Sequence, residues 1–151
     1  MAVTASKYNH TDEWLVNNSI ADEASNCYFE LLDGTTAFDA THTTLAEVDD
    51  SGADEVDGNG WTTGGENLTN VTGIVTATSK VKVTADNLSV TASGGNIAAA
   101  AGVVYVDEGG LGSTKTPLVH VDFGETVTAN DGTPFIVTWD SNGIIYSTTA
   151  A

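Results

Sequence analysis

The chain predicts a mostly β protein: a single antiparallel β-sandwich of jelly-roll or Ig-like type with one short N-terminal helix. Three observations carry this. Thr and Val are abundant, and both are stiff at χ1 and suit a pleated surface. Short apolar or alternating runs recur along the second half, giving roughly seven or eight strands at spacings of about 10–15 residues. The chain has 16 glycines as punctuation and only 2 prolines. Pro117 and Pro134 each stand at the start of an apolar run, where a missing N–H does least harm to a ladder.

The elements can be justified in order. Residues 1–23 read as an N-terminal arm plus the helix. Thr11 is the candidate N-cap, and Asp12 and Glu13 fall in the first turn, where the macrodipole favours acids. Trp14, Leu15, Val16 and Ile20 supply its apolar side. At roughly ten residues it cannot persist alone in water and must dock. Cys27–Leu32 reads as a buried strand closed by Asp33-Gly34, and Thr44–Val48 as a short helical turn. Residues 49–65 form an acidic, glycine-rich stretch without periodicity, read as a long solvent-facing loop.

From Leu68 the strands are dense. Val71–Ala77 is one. Lys80–Ala85 alternates, with Val81, Val83 and Ala85 on one face and Lys80 and Lys82 on the other. Leu88, Val90 and Ala92 share a face, and Ser93–Asn96 is a turn. Gly102–Val106 is continuously apolar, hence a central strand. Leu118–Phe123 places Val119, Val121 and Phe123 inward and His120 and Asp122 outward. Phe135, Val137 and Trp139 line one face, and Asn142-Gly143 signals a hairpin returning through Ile144–Tyr146. No internal repeat or linker divides residues 1–151.

Charge narrows the function. Against 21 Asp and Glu stand 4 Lys and no Arg, a net charge of −17 in 151 residues. Lys7, Lys80, Lys82 and Lys115 make no phosphate-neutralising footprint, so nucleic acid is not expected as a partner. Anionic membrane surfaces are disfavoured by the same repulsion, and no apolar run reaches the length of a membrane span. No charged n-region precedes an apolar segment at the N-terminus, so no signal peptide is expected and synthesis is assigned to the cytoplasm. The single cysteine, Cys27, cannot form an intrachain disulfide.

No catalytic constellation is legible. His10, His42 and His120 share no metal-ligand spacing, and Cys27 has no nearby His or cation to activate it. There is no Gly-x-Ser-x-Gly. Gly109-Gly110-Leu111-Gly112 opens no helix, so it is not a phosphate loop. An enzyme is therefore not expected, and no cofactor is required. Six carboxylates lie between Glu47 and Asp57, so calcium is the open alternative, with Asp54, Glu55 and Asp57 as candidate ligands. The EF-hand register fails: with Gly58 at the sixth loop position, Ala53 stands at the first and Gly64 at the twelfth. Trp61, in its Gly/Asn/Thr surroundings, admits three readings: a loop plug, an interface anchor, or a sugar-stacking platform.

The segment order resembles a family of small structural proteins of tailed phages and prophages. The residues that carry the resemblance are Tyr8-Asn9 and Trp14–Asn18 near the start, and Gly60-Trp61-Thr62-Thr63-Gly64-Gly65-Glu66-Asn67-Leu68, with Trp where the family has Tyr. Thr91–Ile97, Leu118–Gly124 and Asp131–Trp139 follow. At Cys27–Asp33 the family's strand is basic and alternating, whereas here it is acidic and less regular. These are turn-and-strand patterns, and they supply no catalytic residues.

The resemblance implies a virion protein on the outer surface of the head. It would be a decoration (cement) protein that binds the assembled major capsid protein, with self-association into a trimer or other ring. On that reading the candidate partner-binding residues are Tyr8, Trp14 and Leu15 of the arm and helix, Trp61 of the loop, and the lysine face of Lys80 and Lys82. The alternative is a tail or fibre component touching the host surface, with Trp61 contacting carbohydrate.

Overall fold

The computed structural model describes residues 4–17, 24–77, 80–108 and 114–148. Its strands are β1 (Thr4–Lys7), β2 (Cys27–Leu32), β3 (Glu66–Asn67), β4 (Thr72–Ala77), β5 (Lys80–Thr84), β6 (Leu88–Thr91), β7 (Ile97–Asp107), β8 (Lys115–Ala129), β9 (Pro134–Val137) and β10 (Ile145–Thr148). The helices are α1 (Thr11–Asn17) and α2 (Leu45–Val48). A five-stranded sheet runs in the order β1-β8-β7-β2-β3, and all its pairs are antiparallel. Opposite it lie a three-stranded sheet, β10-β5-β4, and the pair β6-β9. The result is the expected β-rich, sandwich-like architecture.

The period of two along each strand builds the core between these layers. Cys27, Phe29 and Leu31 of β2 and Val119, Val121 and Phe123 of β8 meet Val83, Ala92, Phe135, Val137 and Ile145 from the opposing strands. The continuous apolar run 102–106 is central as expected, flanked by β2 and β8. Pro117 sits where the β7–β8 register shifts, so its missing N–H falls at an irregularity of the ladder.

The other face of the large sheet is also covered. Tyr28 and Leu32 of β2 join Ala101, Val103 and Tyr105 of β7, and Leu45 and Val48 of α2 close over them. The excursion between β2 and β3 therefore folds back onto the sheet. Asp33 N–H donates to Asp54 O at 3.0 Å and Val56 N–H to Leu31 O at 2.8 Å.

Several expectations are corrected. The loop 49–65 is not a solvated tip throughout: Asp49, Asp54 and Trp61 are all buried. Its backbone is pinned to the edge of β2, and Trp61 fills the space between the layers. Within the N-terminal arm, residues 4–7 form an edge strand on β8. His120 is not outward in solvent. It is 7 % exposed, because the excursion places Phe38 against its ring at 5.3 Å.

Thr11 does not cap α1 but begins it. Trp14 N–H donates to His10 O at 2.8 Å, while the Thr11 hydroxyl donates to Leu118 O on β8 at 2.7 Å. The helix is 7 residues long, and Ile20 lies outside the described residues.

The Asn142-Gly143 hairpin is also corrected. A turn is present, with Gly143 N–H donating to Asp140 O at 2.7 Å. The strands it joins pair elsewhere, however: β9 with β6 and β10 with β5. Ile144 N–H is taken by Val83 O at 2.8 Å, which draws the chain across to the other sheet. Gly143 has φ +87°, and a Cβ there would lie 2.2 Å from Val83 O, so the turn residue is fixed by close backbone approach.

Candidate functional site

Most of the residues expected to bind a partner are interior. Tyr8 is 2 % exposed, with its ring 5.1 Å from Phe38 and 6.0 Å from His10 between centroids. Trp14 is buried, and its indole N–H donates to Glu108 Oε1 at 2.6 Å, which docks α1. Leu15 packs, partly buried, on the main core. Trp61 is 2 % exposed and meets Phe29 and Phe135 edge-on. A ring so placed is a plug between layers and presents no platform to a sugar. Lys82 Nζ donates to Ser141 O, tying β5 to the turn before β10. The Lys80 side chain lies outside the described residues. The residues among these whose side chains are described are therefore not gathered onto one face.

The candidate calcium residues are likewise occupied by local bonds. Asp54 accepts the Thr36 hydroxyl, Glu55 accepts Gly64 N–H, and Asp57 accepts the Thr63 hydroxyl. Among the described residues, no three His, Cys, Asp or Glu side chains are placed to hold a metal ion.

Two surface features were not legible beforehand. One is an apolar groove of about 850 Å³ between β1–β8 and the stretch from β9 to β10. Ala5, Val121, Phe123, Phe135, Trp139 and Ile144 line it, and Ile136, 60 % exposed, stands at it. Sequence alternation pointed Phe135 and Val137 inward and so left Ile136 outward. Nothing in the sequence placed β1 beside it.

The other feature is a cleft of about 600 Å³ beneath α2, lined by Thr44, Asp49, Glu55, Thr114 and Lys115 among others. Below it, Glu30 of β2 is 1 % exposed. Its carboxyl is pushed up to about 8, first by burial and then by the negative charges of Glu55 and Asp49, with Lys115 acting in the opposite sense. A lone acid in Cys-Tyr-Phe-Glu-Leu-Leu was the available signal.

Other ionisations follow local geometry. Burial pushes the phenols of Tyr8 and Tyr105 up. Burial holds His120 below the usual histidine range, against a smaller opposing effect of Asp122. Glu47 is held at about 2 by the backbone N–H groups of Thr43 and Thr44, which donate to Oε2 at 2.8 and 3.0 Å. It thereby fixes the start of α2.

Cys27 is buried, and His10 Nε2 is engaged at 2.8 Å by Pro117 O. No described helix is long and apolar enough to cross a membrane. Comparison with protein-family models, with curated proteins and with solved structures found no match.

Proposed function

We propose that this protein is a virion structural component that decorates a phage head, binding the assembled major capsid protein and stabilising the shell. The observation that carries the proposal is the apolar groove beside β1, with Ile136 60 % exposed at it. Single exposed apolar residues are ordinary, but a groove of this size running along a sheet edge suits docking. β1 is the terminal strand of the large sheet, so its outer edge can extend a neighbour's sheet. Two further points support the reading. The net charge of −17 without arginine suits a protein on the outside of a DNA-filled shell. The motifs at 60–68, 91–97, 118–124 and 131–139 that resemble the phage family lie on turns, loops and strands of this fold.

The work done would be binding alone. Apolar side chains of the capsid protein would fill the groove and remove Ile136 from water, a gain of roughly 25 cal/mol per Å² of apolar surface. Association between copies around a symmetry axis of the shell would multiply a weak contact.

The test is co-sedimentation of the purified protein with undecorated heads. Saturable, stoichiometric binding that weakens at least tenfold in Ile136→Asp is expected. Failure of the wild-type protein to sediment with heads removes the proposal.

A further inference from the structure

Glu30 occupies the middle of β2 with 1 % of its surface exposed, and its Oε1 has no hydrogen-bond partner. The elements packed against it bring further negative charge. Asp49, following α2, is 7 % exposed and carries an unpartnered Oδ1. Glu55 bridges to Leu32 on the same edge of β2, with its carboxylate turned to Gly64 N–H. From β7, Tyr105 spends its hydroxyl proton on Gly64 O and stacks on Tyr28 at 5.4 Å. From β8, Lys115 lies 5.2 Å from the Tyr105 ring centroid and is the cation that acts on Glu30. An ionised Glu30 here would be a buried anion beside two others, a strongly disfavoured state.

The contacts that hold this region closed are few. Leu45 and Val48 cover Leu32, Ala101, Val103 and Tyr105, and Phe38 packs on Tyr8 and His120. Val56 N–H donates to Leu31 O on β2, Asp33 N–H closes the base of the excursion on Asp54 O, and Asn9 N–H donates to Ala40 O at 2.9 Å. Trp61, which joins the sandwich layers, belongs to the other core. Of the stretch 33–56, Val56 packs partly buried on that core, and the residues before it can lift while the sandwich stays closed.

We propose that residues 33–56 form a proton-latched cover: one proton on the Glu30 carboxyl lets the cover lie on the sheet, and its loss to solvent favours lifting. Lifting exposes Tyr28, Leu32, Val103 and Tyr105 as a new apolar face. The sense follows from linkage. Burial and the neighbouring acids raise Glu30 to about 8 when closed, and the open cover restores the ordinary glutamate value. The closed form is thus fully favoured below about 4.5 and loses about tenfold in its equilibrium per pH unit up to about 8, then levels.

Amide hydrogen exchange of the full chain between pH 5 and 8 tests this. For a pH-independent opening, exchange accelerates about tenfold per unit from base catalysis alone. The amides of Asp33 and Val56, whose bonds to Asp54 O and Leu31 O lie at the junction of the cover with β2, should accelerate about a hundredfold per unit, and in Glu30→Gln about tenfold. Gln keeps the shape of the protonated acid and can donate to Asp49. A tenfold dependence in the wild type overturns the proposal. So does a hundredfold dependence at the rate of global unfolding, since the whole domain would then open. If Glu30→Gln does not fold, the carbon-13 titration of the Glu30 carboxyl in the wild type decides, and a midpoint near 4.5 overturns the latch.

Discussion

Trp61 and Phe135 meet edge to face with ring centroids 5.7 Å apart, and the same indole stands edge-on to Phe29 at 6.5 Å. Phe29 belongs to the large sheet and Phe135 to the β6-β9 pair, so Trp61 is the residue through which a loop joins the two layers. Truncation there leaves a cavity that neither rigid sheet can close. Trp61→Ala should cost about 3–5 kcal/mol in chemical denaturation. Trp61→Phe should cost much less, because it also removes an indole N–H that has no partner. A Trp61→Ala protein of unchanged stability that no longer binds heads would instead make this residue a surface anchor.

The glycine pair after Trp61 makes a sharper test of what the phage-like motif encodes. Gly65 has φ +84°, and a Cβ on it would lie 2.6 Å from Phe29 O. Gly64 has φ +82°, but its Cβ would meet only atoms at 3.6 Å or beyond. Gly64→Ala should therefore cost about 1 kcal/mol of backbone strain. Gly65→Ala should cost clearly more, because the carbonyl of a central strand must move as well. Equal denaturation midpoints for the two variants would show that strand approach is not what fixes the motif.

How much was legible beforehand depended on whether neighbours in sequence decide the outcome. Cys27–Leu32, the central run 102–106 and the alternating faces of β6, β8 and β9 were readable, because period two and burial act within one strand. The pairing of β9 and β10 was not. Asn142-Gly143 satisfies a local turn rule, but the partners are chosen by β5 and β6 far away in sequence. His120 and Asp49 were misplaced for the same reason. Each is polar in a locally solvent-facing position; His120 is covered by an excursion and Asp49 is carried inward on it, and the docking of that excursion depends on Leu45 and Val48. The groove beside β1 and the Glu30 cluster are likewise products of tertiary packing, and neither has a spacing to read.

His120 makes the acid limb of stability specific. Its ring is buried against Phe38, and burial lowers its proton affinity below that of the unfolded chain. A base with a depressed folded value is neutral in the fold. Its contribution is complete above the unfolded value near 6.5 and is lost as pH falls through that value toward the folded one. Replacing it with Gln removes the titration. Between pH 7 and pH 5, His120→Gln should lose less stability than the wild type when thermal midpoints are compared. A parallel decline in the two proteins would mean that His120 does not titrate in this window.

The Thr11 hydroxyl offers a test of how α1 is held. It is fully buried and donates to Leu118 O at 2.7 Å, while Tyr8 N–H reaches the same carbonyl at 3.3 Å. Thr11→Val keeps the shape and removes the donor. Because the carbonyl keeps its second donor, no acceptor is orphaned, and the cost should be near that of one hydrogen bond, about 1 kcal/mol. Thr11→Ala adds the loss of a buried methyl and should cost about 1 kcal/mol more. The consequence should also be local. With α1 loosened from β8, the Trp14 indole loses its fixed approach to Glu108, now 2.6 Å, and amides of the helix should exchange faster than those of β7 and β8. Uniformly faster exchange across β7 and β8 as well would mean that the helix and the sandwich open as one unit.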